Sequence, residues 1–560
     1  MRARDTRRWH GAVVASLTIA VVVASLTSSP ATATATTTVR TTSAHESIQG
    51  SGSSWSSNAV QQWIADVDQS GLQVVFTASG SAQGRKDFSF NTTDFGVTEI
   101  GFQGFDPVTG ESDTARNRPY AYLPIVSGGT SFPYQIRVRG QLVRDLRLSG
   151  QTLVKISTNV ITDWADPAIT ADNNGRVLPS LPIIPVVHSE GSGSTAHLTD
   201  YFDKQFPDLW RPFVGHNGLT EFYPRKGSAI AQSGSDGVMN FVSSAAANGA
   251  IGYDEFSYAL NKNWPVAKLG NAGGYFALPS QYNVAVALTR ANINQDRNSP
   301  DYLLQDLTNV YTLNDPRTYP LSSYSYMLVA TGADDPKMTT AKRQTVADFV
   351  YYSICEGQKE MGPIGYSSLP VNLVQAGFEQ ISKLKQADPN VDLAQRDVAS
   401  CRNPTFVAGQ PNRNYLAEIA PMPPDCDKAG QGPCADAALG PGVGTANGSG
   451  GAGASEGGEG AGGPAAGDTD GTDAGAAADA AAGTAEDAAA ADEAAAADEL
   501  AIAELRAAAG GAGASGKASD PSRSMVPGAL VPLALLFVAF ILVAPPVLYR
   551  RFSGRRTGPE

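Results

Sequence analysis

Three loops of one chemical kind stand out in this chain: Gly50-Ser-Gly-Ser-Ser-Trp55, Ala78-Ser-Gly-Ser-Ala-Gln-Gly84 and Glu190-Gly-Ser-Gly-Ser-Thr195. Each runs into a stretch that reads as a helix. A helix start offers unpaired backbone N–H groups and the positive end of the dipole, glycine lets a ligand approach closely, and serine adds a hydroxyl. Such a set holds a small anion by hydrogen bonds rather than by fixed charge. Taken singly, each loop is as well explained as a serine cap or a glycine turn. The combination carries the anion reading.

The elements around the loops alternate. Val60–Val67 has helical spacing, Leu72–Phe76 reads as a strand, the Ser81 loop leads into a second helix, and Asp94–Val97 reads as the next strand. Leu123–Val126, Tyr134–Val138 and Ile183–Val187 read as further strands, with helices at about 195–206, 236–246 and 341–356. Strands alternating with helices predict an α/β fold with largely parallel sheets, whose ligands gather at the carboxyl ends of strands. The globular stretch, residues 46–435, is nearly 400 residues long and exceeds what one core usually holds, so two lobes are expected.

In order and spacing these residues resemble the phosphate-binding receptors of bacterial ABC importers, within the periplasmic binding protein superfamily, in a membrane-anchored variant. The resemblance runs through the whole globular stretch. It is carried by Gly50–Trp55 with Trp63, Ser79-Gly-Ser-Ala-Gln-Gly84, Thr93-Asp-Phe-Gly-Val-Thr-Glu99 and Trp164–Ile169. It continues through Ser189–Ser194, Gly249-Ala-Ile-Gly-Tyr-Asp-Glu-Phe-Ser-Tyr258 and Ser368-Leu-Pro370. It implies a type II binding-protein fold: two α/β lobes, about 46–125 with 322–435 and about 126–321, joined by crossing strands and hinged over a cleft. It also implies roles for Ser54 and Ser81 as hydroxyl donors, the Trp55 backbone N–H beside the first, and Ser192, Gly193 and Ser194 at a helix start. No cofactor or metal is implied, and the partners would be phosphate or a related oxyanion and ABC permease subunits.

Two charged positions depart from the family pattern. Glu99 stands where the family usually has aspartate; its carboxylate can accept the proton of monohydrogen phosphate and repels sulfate, which has none. His188-Ser-Glu190 stands where the family usually has Arg-Ser-Asp, and histidine lacks the fixed charge and five-donor fork of arginine. His188 would bind when protonated, stabilised by Glu190 and the anion. Arg85, four residues after Ser81, is a candidate to supply the missing charge.

The ends of the chain carry other signals. Arg2, Arg4, Arg7 and Arg8 precede an apolar run from Gly11 to Leu26 and Ala-x-Ala sites, so residues 1–35 read as a secretory signal peptide. Residues 436–520 are rich in Gly, Ala, Asp and Glu and read as an unfolded linker. Met525–Tyr549 carries no charge and is followed by Arg550 and Arg551, so a transmembrane anchor with a cytoplasmic basic tail at 550–560 is expected. The formal charge of −13 is local: between Ala435 and Asp520 there are 15 acidic residues against Arg506 and Lys517. What remains for the folded part is about −7, which argues against a nucleic-acid partner.

Four cysteines, Cys355, Cys401, Cys426 and Cys434, fit disulfides outside the cell. Three pairings are possible; the short loop from Cys426 to Cys434 favours that pair, with Cys355 to Cys401. A serine hydrolase using His188, His197 or His216 as base is disfavoured, since no loop fits Gly-x-Ser-x-Gly. A surface protein that uses the binding fold for another oxyanion, or for adhesion or sensing, is the alternative to transport.

Overall fold

The computed structural model describes residues 45–434 except 106–109, 111, 395 and 408. The signal peptide, the linker, the Met525–Tyr549 span and the basic tail lie outside the described residues. Among the described residues no helix is long and apolar enough to cross a membrane.

The first elements are β1 (Ile48–Gly52), α1 (Ser57–Asp68), β2 (Val74–Thr77), α2 (Ser81–Ser89) and β3 (Phe95–Thr98). β1 lies between β2 and β3 and is parallel to both. Two glycines make this packing possible. A Cβ at Gly50 would stand 2.1 Å from the Phe95 ring, and Gly52, at φ +141°, would meet the Val97 carbonyl at 2.1 Å. In the first loop, then, glycine serves strand packing and a backbone turn. That is a different task from the close approach to a ligand expected of it.

The sheet is not largely parallel. β4 (Tyr120–Ser131) runs antiparallel to a long strand, Ser322–Ala330, which in turn runs antiparallel to β3. A chain that leaves one lobe and returns does so on two oppositely directed strands, and antiparallel pairing satisfies their buried backbone groups. Every residue of Ser322–Ala330 is buried. The expected strand at Tyr134–Val138 reduces to Arg137–Val138, paired with Gln141–Leu142 around a turn with positive φ at Arg139 and Gly140. Tyr134 instead makes a single bridge to Ile251, beside Pro133, which has no N–H to give.

In the second lobe β5 (Ile184–His188) sits between β6 (Ile230–Gln232) and β7 (Ala250–Gly252), all parallel. Helix α3 (Gly193–Gln205) follows β5, and α4 (Gly234–Val242) follows β6. The two-residue β8 (Asp254–Glu255) pairs with Ser131 and Thr130 at the end of β4, so the crossing strands carry it onto the first sheet. One apolar core runs through both lobes and includes Trp55, Trp63, Phe95, Tyr122, Trp164, Trp210 and Tyr326.

Both favoured disulfides form, Cys355–Cys401 and Cys426–Cys434. The last described residues bind second-lobe side chains: Arg147 donates to the Cys426 carbonyl at 3.0 Å and to the Gln431 carbonyl at 2.6 Å, and Lys268 pairs with Asp427. The chain after Ser322 thus returns to the second lobe at its end.

Candidate functional site

β1, β2, β3 and β5 all point their carboxyl ends at one place. The first loop leaves β1 with Ser53 N–H on the Val97 carbonyl at 2.9 Å and Ser56 N–H on Ser53 Oγ at 3.2 Å. Trp55 is locked by its indole N–H on Thr130 Oγ1 at 3.2 Å and by Tyr366, whose hydroxyl donates to the Trp55 carbonyl at 2.6 Å. Ser54 faces the other lobe. Its Oγ accepts from the N–H of Ser235 at 3.1 Å and from its hydroxyl at 3.0 Å, while Tyr258 donates to its carbonyl at 2.6 Å.

The second and third loops touch. Gly80, at φ +93°, leaves room where a Cβ would meet Glu190 Cγ at 2.7 Å and the Gly191 carbonyl at 3.0 Å. Here glycine does permit close approach, of one loop to another. Ala82 N–H donates to the Gly191 carbonyl at 3.1 Å, and Gly193 N–H donates to Ser81 Oγ at 3.1 Å. Ser81 in turn donates to Glu99 Oε2 at 2.6 Å, and Ser325 Oγ lies 2.9 Å from Glu99 Oε1. Burial raises the Glu99 pKa above the usual carboxylate range, with the hydroxyls of Ser53, Ser81 and Ser325 offsetting part of that rise.

His188 ends β5 fully buried. Its Nδ1 lies 2.8 Å from Glu190 Oε1, and its Nε2 lies 3.5 Å from Ser194 Oγ, which is 2.7 Å from Ser192 Oγ. Burial pulls its pKa down, but Glu190 and then Asp254 outweigh that and raise it; His188 in turn holds Glu190 below its ordinary value, against the effect of burial. Glu190 Oε2 also accepts from Gly234 N–H at 3.1 Å. Ser194, His188 and Glu190 form a serine–histidine–carboxylate line. At 3.5 Å its serine contact is at the edge of hydrogen bonding, and the stronger Ser192 contact orients the hydroxyl instead.

Seven of the eight side chains or backbone groups singled out in the sequence, Ser54, Ser81, Glu99, His188, Ser192, Gly193 and Ser194, meet in this convergence, and Trp55 braces its first loop. Arg85 does not join them. It is fully buried, with Nη2 2.6 Å from Glu221 Oε1 and 2.8 Å from Asp113 Oδ2, and Nη1 donating to Thr98 Oγ1 at 3.1 Å. Those carboxylates hold its guanidinium protonated against the effect of burial. One turn along α2 from Ser81, the side chain is long enough to reach a neighbouring carboxylate pair, and it takes that. The two other candidate histidines make their contacts elsewhere: His197 Nε2 is 3.2 Å from Gln305 Nε2, with its pKa pushed down to about 4 by burial, and His216 lies against the Asn217 carbonyl.

Two contributors were missed. Ser233-Gly-Ser235 is a fourth loop of the same composition, opening α4 and meeting Ser54; its composition was readable in the sequence. Asp254 acts on His188; it lies within Gly249–Tyr258, one of the stretches that carry the family resemblance, but no role is attached to it there. A cavity of about 360 Å³ lined by Arg118, Tyr120, Tyr302, Gln380 and Lys383 lies at the start of β4, away from this convergence. Among the described residues no group of His, Cys, Asp and Glu is arranged to hold a metal.

Residues 29–356 match a family pattern described as a PBP superfamily domain. The phosphate-binding protein PstS2 of Mycobacterium bovis is 29% identical over 332 residues, which is 58% of this chain and 84% of that protein. The phosphate-binding protein PstS of Xylella fastidiosa is 28% identical over 339 residues, 59% of this chain and 83% of that one. A solved phosphate-binding protein from Stenotrophomonas maltophilia aligns with a TM-score of 0.43 and 15% identity over 59% of this chain and 92% of its own.

Proposed function

The chain belongs to the PBP superfamily, and we propose that within it the protein is an extracytoplasmic receptor that captures inorganic phosphate for an ABC importer. The observation that carries the reading is the Gly193–Ser81–Glu99 chain: a helix-start N–H and a hydroxyl, both from Gly/Ser loops of facing lobes, end on one buried carboxylate. Relatives that align along most of their own length are named phosphate-binding proteins, which agrees with it.

Phosphate would enter where these groups now bond one another. Gly193 N–H and the Ser54, Ser81 and Ser194 hydroxyls would turn to its oxygens, with α2, α3 and α4 directing their N-termini at it. Their dipoles would carry a dehydrated dianion without a fixed charge in contact. Glu99 would accept the proton that monohydrogen phosphate carries and sulfate lacks. His188, held by Glu190, would supply the nearest positive charge.

Calorimetry of the purified domain should give a phosphate dissociation constant on the order of 1 µM or tighter, about −8 kcal/mol. Sulfate should bind far more weakly. No phosphate binding anywhere between about pH 5.5 and 8, a range that brackets histidine titration, would overturn the assignment. Assays with generic esters and phosphomonoesters on the same preparation check the Ser194–His188–Glu190 line, and no turnover is expected.

The long apolar stretch Met525–Tyr549 with its basic flank would hold the receptor on the outer face of the membrane, single-pass, with the C-terminus cytoplasmic. The acidic linker would then act as a tether that raises the receptor's effective concentration at its permease. A chain ending before Met525 should leave the membrane fraction; its retention there would exclude this anchor.

A further inference from the structure

We propose that Asp254 is a further affinity-determining residue of the anion site, carrying the proton that must be in place for the anion to bind opposite His188. The inference rests on the phosphate reading above. It comes from where β8 is placed: pairing with Ser131 at the end of β4 buries Asp254, 1% exposed, where His188 and Ser235 act on it.

There its two oxygens are unequally served. Oδ1 accepts from Glu255 N–H at 2.8 Å, whereas Oδ2 makes no hydrogen bond among the described residues. The Ser235 hydroxyl stands close enough to act on Asp254 as a hydrogen-bond donor that lowers its pKa, but it donates to Ser54 Oγ at 3.0 Å. A buried ionised carboxylate with a bare oxygen is costly, and a proton on that oxygen removes the cost. Burial accordingly pushes Asp254 up to about 7, with His188 opposing.

The groups packed around it give no better compensation. His188 faces it from β5, Glu190 lies beyond that histidine, Asp236 comes from α4, Glu255 follows it on β8, and the Tyr253 and Tyr258 hydroxyls come from either side. Of these only His188 is basic, and Glu190 already pairs with it. A phosphate dianion arriving beside Ser54 and Ser194 adds negative charge to a set in which acids outnumber bases. Neutral Asp254 leaves His188 free to face the anion; ionised Asp254 competes with the anion for the same imidazolium.

The test compares the protein with its Asp254→Asn variant, which keeps the oxygen that accepts from Glu255 and mimics the protonated side chain. Phosphate titrates in this range too, but equally for both proteins, so the difference between them isolates Asp254. With a pKa of about 7, Asp254 is about one-tenth protonated at pH 8, so if only that form binds, the variant should bind phosphate about tenfold more tightly there. The two affinities should converge toward pH 5.5. Calorimetry in buffers of different ionisation enthalpy should show the natural protein taking up more protons per phosphate than the variant.

A ligand-free readout separates the proposals. Asp254's folded pKa lies above its ordinary 3.8, so its contribution to stability is complete below that value and is lost as pH rises through about 7. The variant should therefore melt higher than the natural protein at pH 8 and level with it near pH 4. If the natural protein binds phosphate while the variant shows the same affinity and pH slope, the Asp254 inference is overturned and the phosphate reading stands. If neither binds phosphate, the phosphate reading fails and takes the coupling with it, and the melting curves still report whether Asp254 is protonated.

Discussion

Replacing Gly193 by alanine is expected to weaken phosphate binding by about a hundredfold or more, through a single added methyl group. An ideal Cβ at this position stands 2.1 Å from Glu99 Oε2, 2.8 Å from Glu99 Cβ and 2.9 Å from Ser81 Oγ. The carboxylate end can swing aside, but the Cβ of Glu99 is fixed to its backbone. Relief must therefore come from moving α3 away from β3, which parts the Gly193 N–H from Ser81 Oγ. Overpacking costs about 1–3 kcal/mol, and a hydrogen bond to a charged ligand is worth about 1.5–3 kcal/mol. Together these give about two to four decades of affinity. Gly237→Ala on α4 is the control, since its Cβ would meet nothing closer than Gln232 Cβ at 3.5 Å. Isothermal calorimetry of both variants decides; a Gly193→Ala protein that binds phosphate as well as its control does would show that the Gly193–Glu99 contact lies outside the ligand path.

Arg85→Met should produce the largest loss of stability, about 3–5 kcal/mol, because it removes the buried cation that two acidic side chains share. Arg85 is fully buried, and its partners sit on separate elements: Asp113 on the short hairpin Gly104–Phe105 with Ser112–Asp113, and Glu221 in the second lobe. The Glu221 carbonyl also accepts from Ser192 N–H at 2.9 Å, so losing the pair should loosen the third loop as well as lower the melting point. Adding Glu221→Gln and Asp113→Asn to Arg85→Met should recover part of the loss, since what costs most is the uncompensated charge. Denaturant titrations of the single and triple variants measure this. Equal stability of Arg85→Met and the natural protein would mean that these charges are solvated rather than buried.

The two substitutions separate what was readable in the chain from what was not. The loop that holds Gly193 is legible in composition, as a Gly/Ser stretch before a helix suited to capping or anion binding, and the family resemblance gives Gly193 its place at the ligand. Arg85 was read as a candidate for the cleft because it follows Ser81 by one helical turn. That spacing is right for a shared helix face. It says nothing of where a long side chain ends, and a guanidinium goes to the carboxylates that best repay its burial. The glycines of the first loop show the same limit: Gly50 and Gly52 are needed against Phe95 and Val97, which lie more than forty positions away in the chain.

Strand order followed a similar division. The alternation of β1, α1, β2, α2 and β3 was legible because period-two and period-3.6 patterns arise within a few residues. The antiparallel pairing of Tyr120–Ser131 with Ser322–Ala330 joins segments about two hundred residues apart, and no local pattern specifies it. The fourth loop, Ser233-Gly-Ser235, is legible in composition, but only the tertiary structure sets it against Ser54.

By itself, then, the sequence determined the kind of chemistry: serine hydroxyls and helix-start N–H groups in Gly/Ser loops. These follow from residue type and short spacing, and short-range preferences survive folding. Only the tertiary structure decided which of those groups share a site. It sent Arg85 to Asp113 and Glu221, set Gly193 against Glu99, and placed Asp254 beside His188. Burial and charge pairing are settled between segments remote in the chain, where the cost of a desolvated charge depends on every element that closes around it.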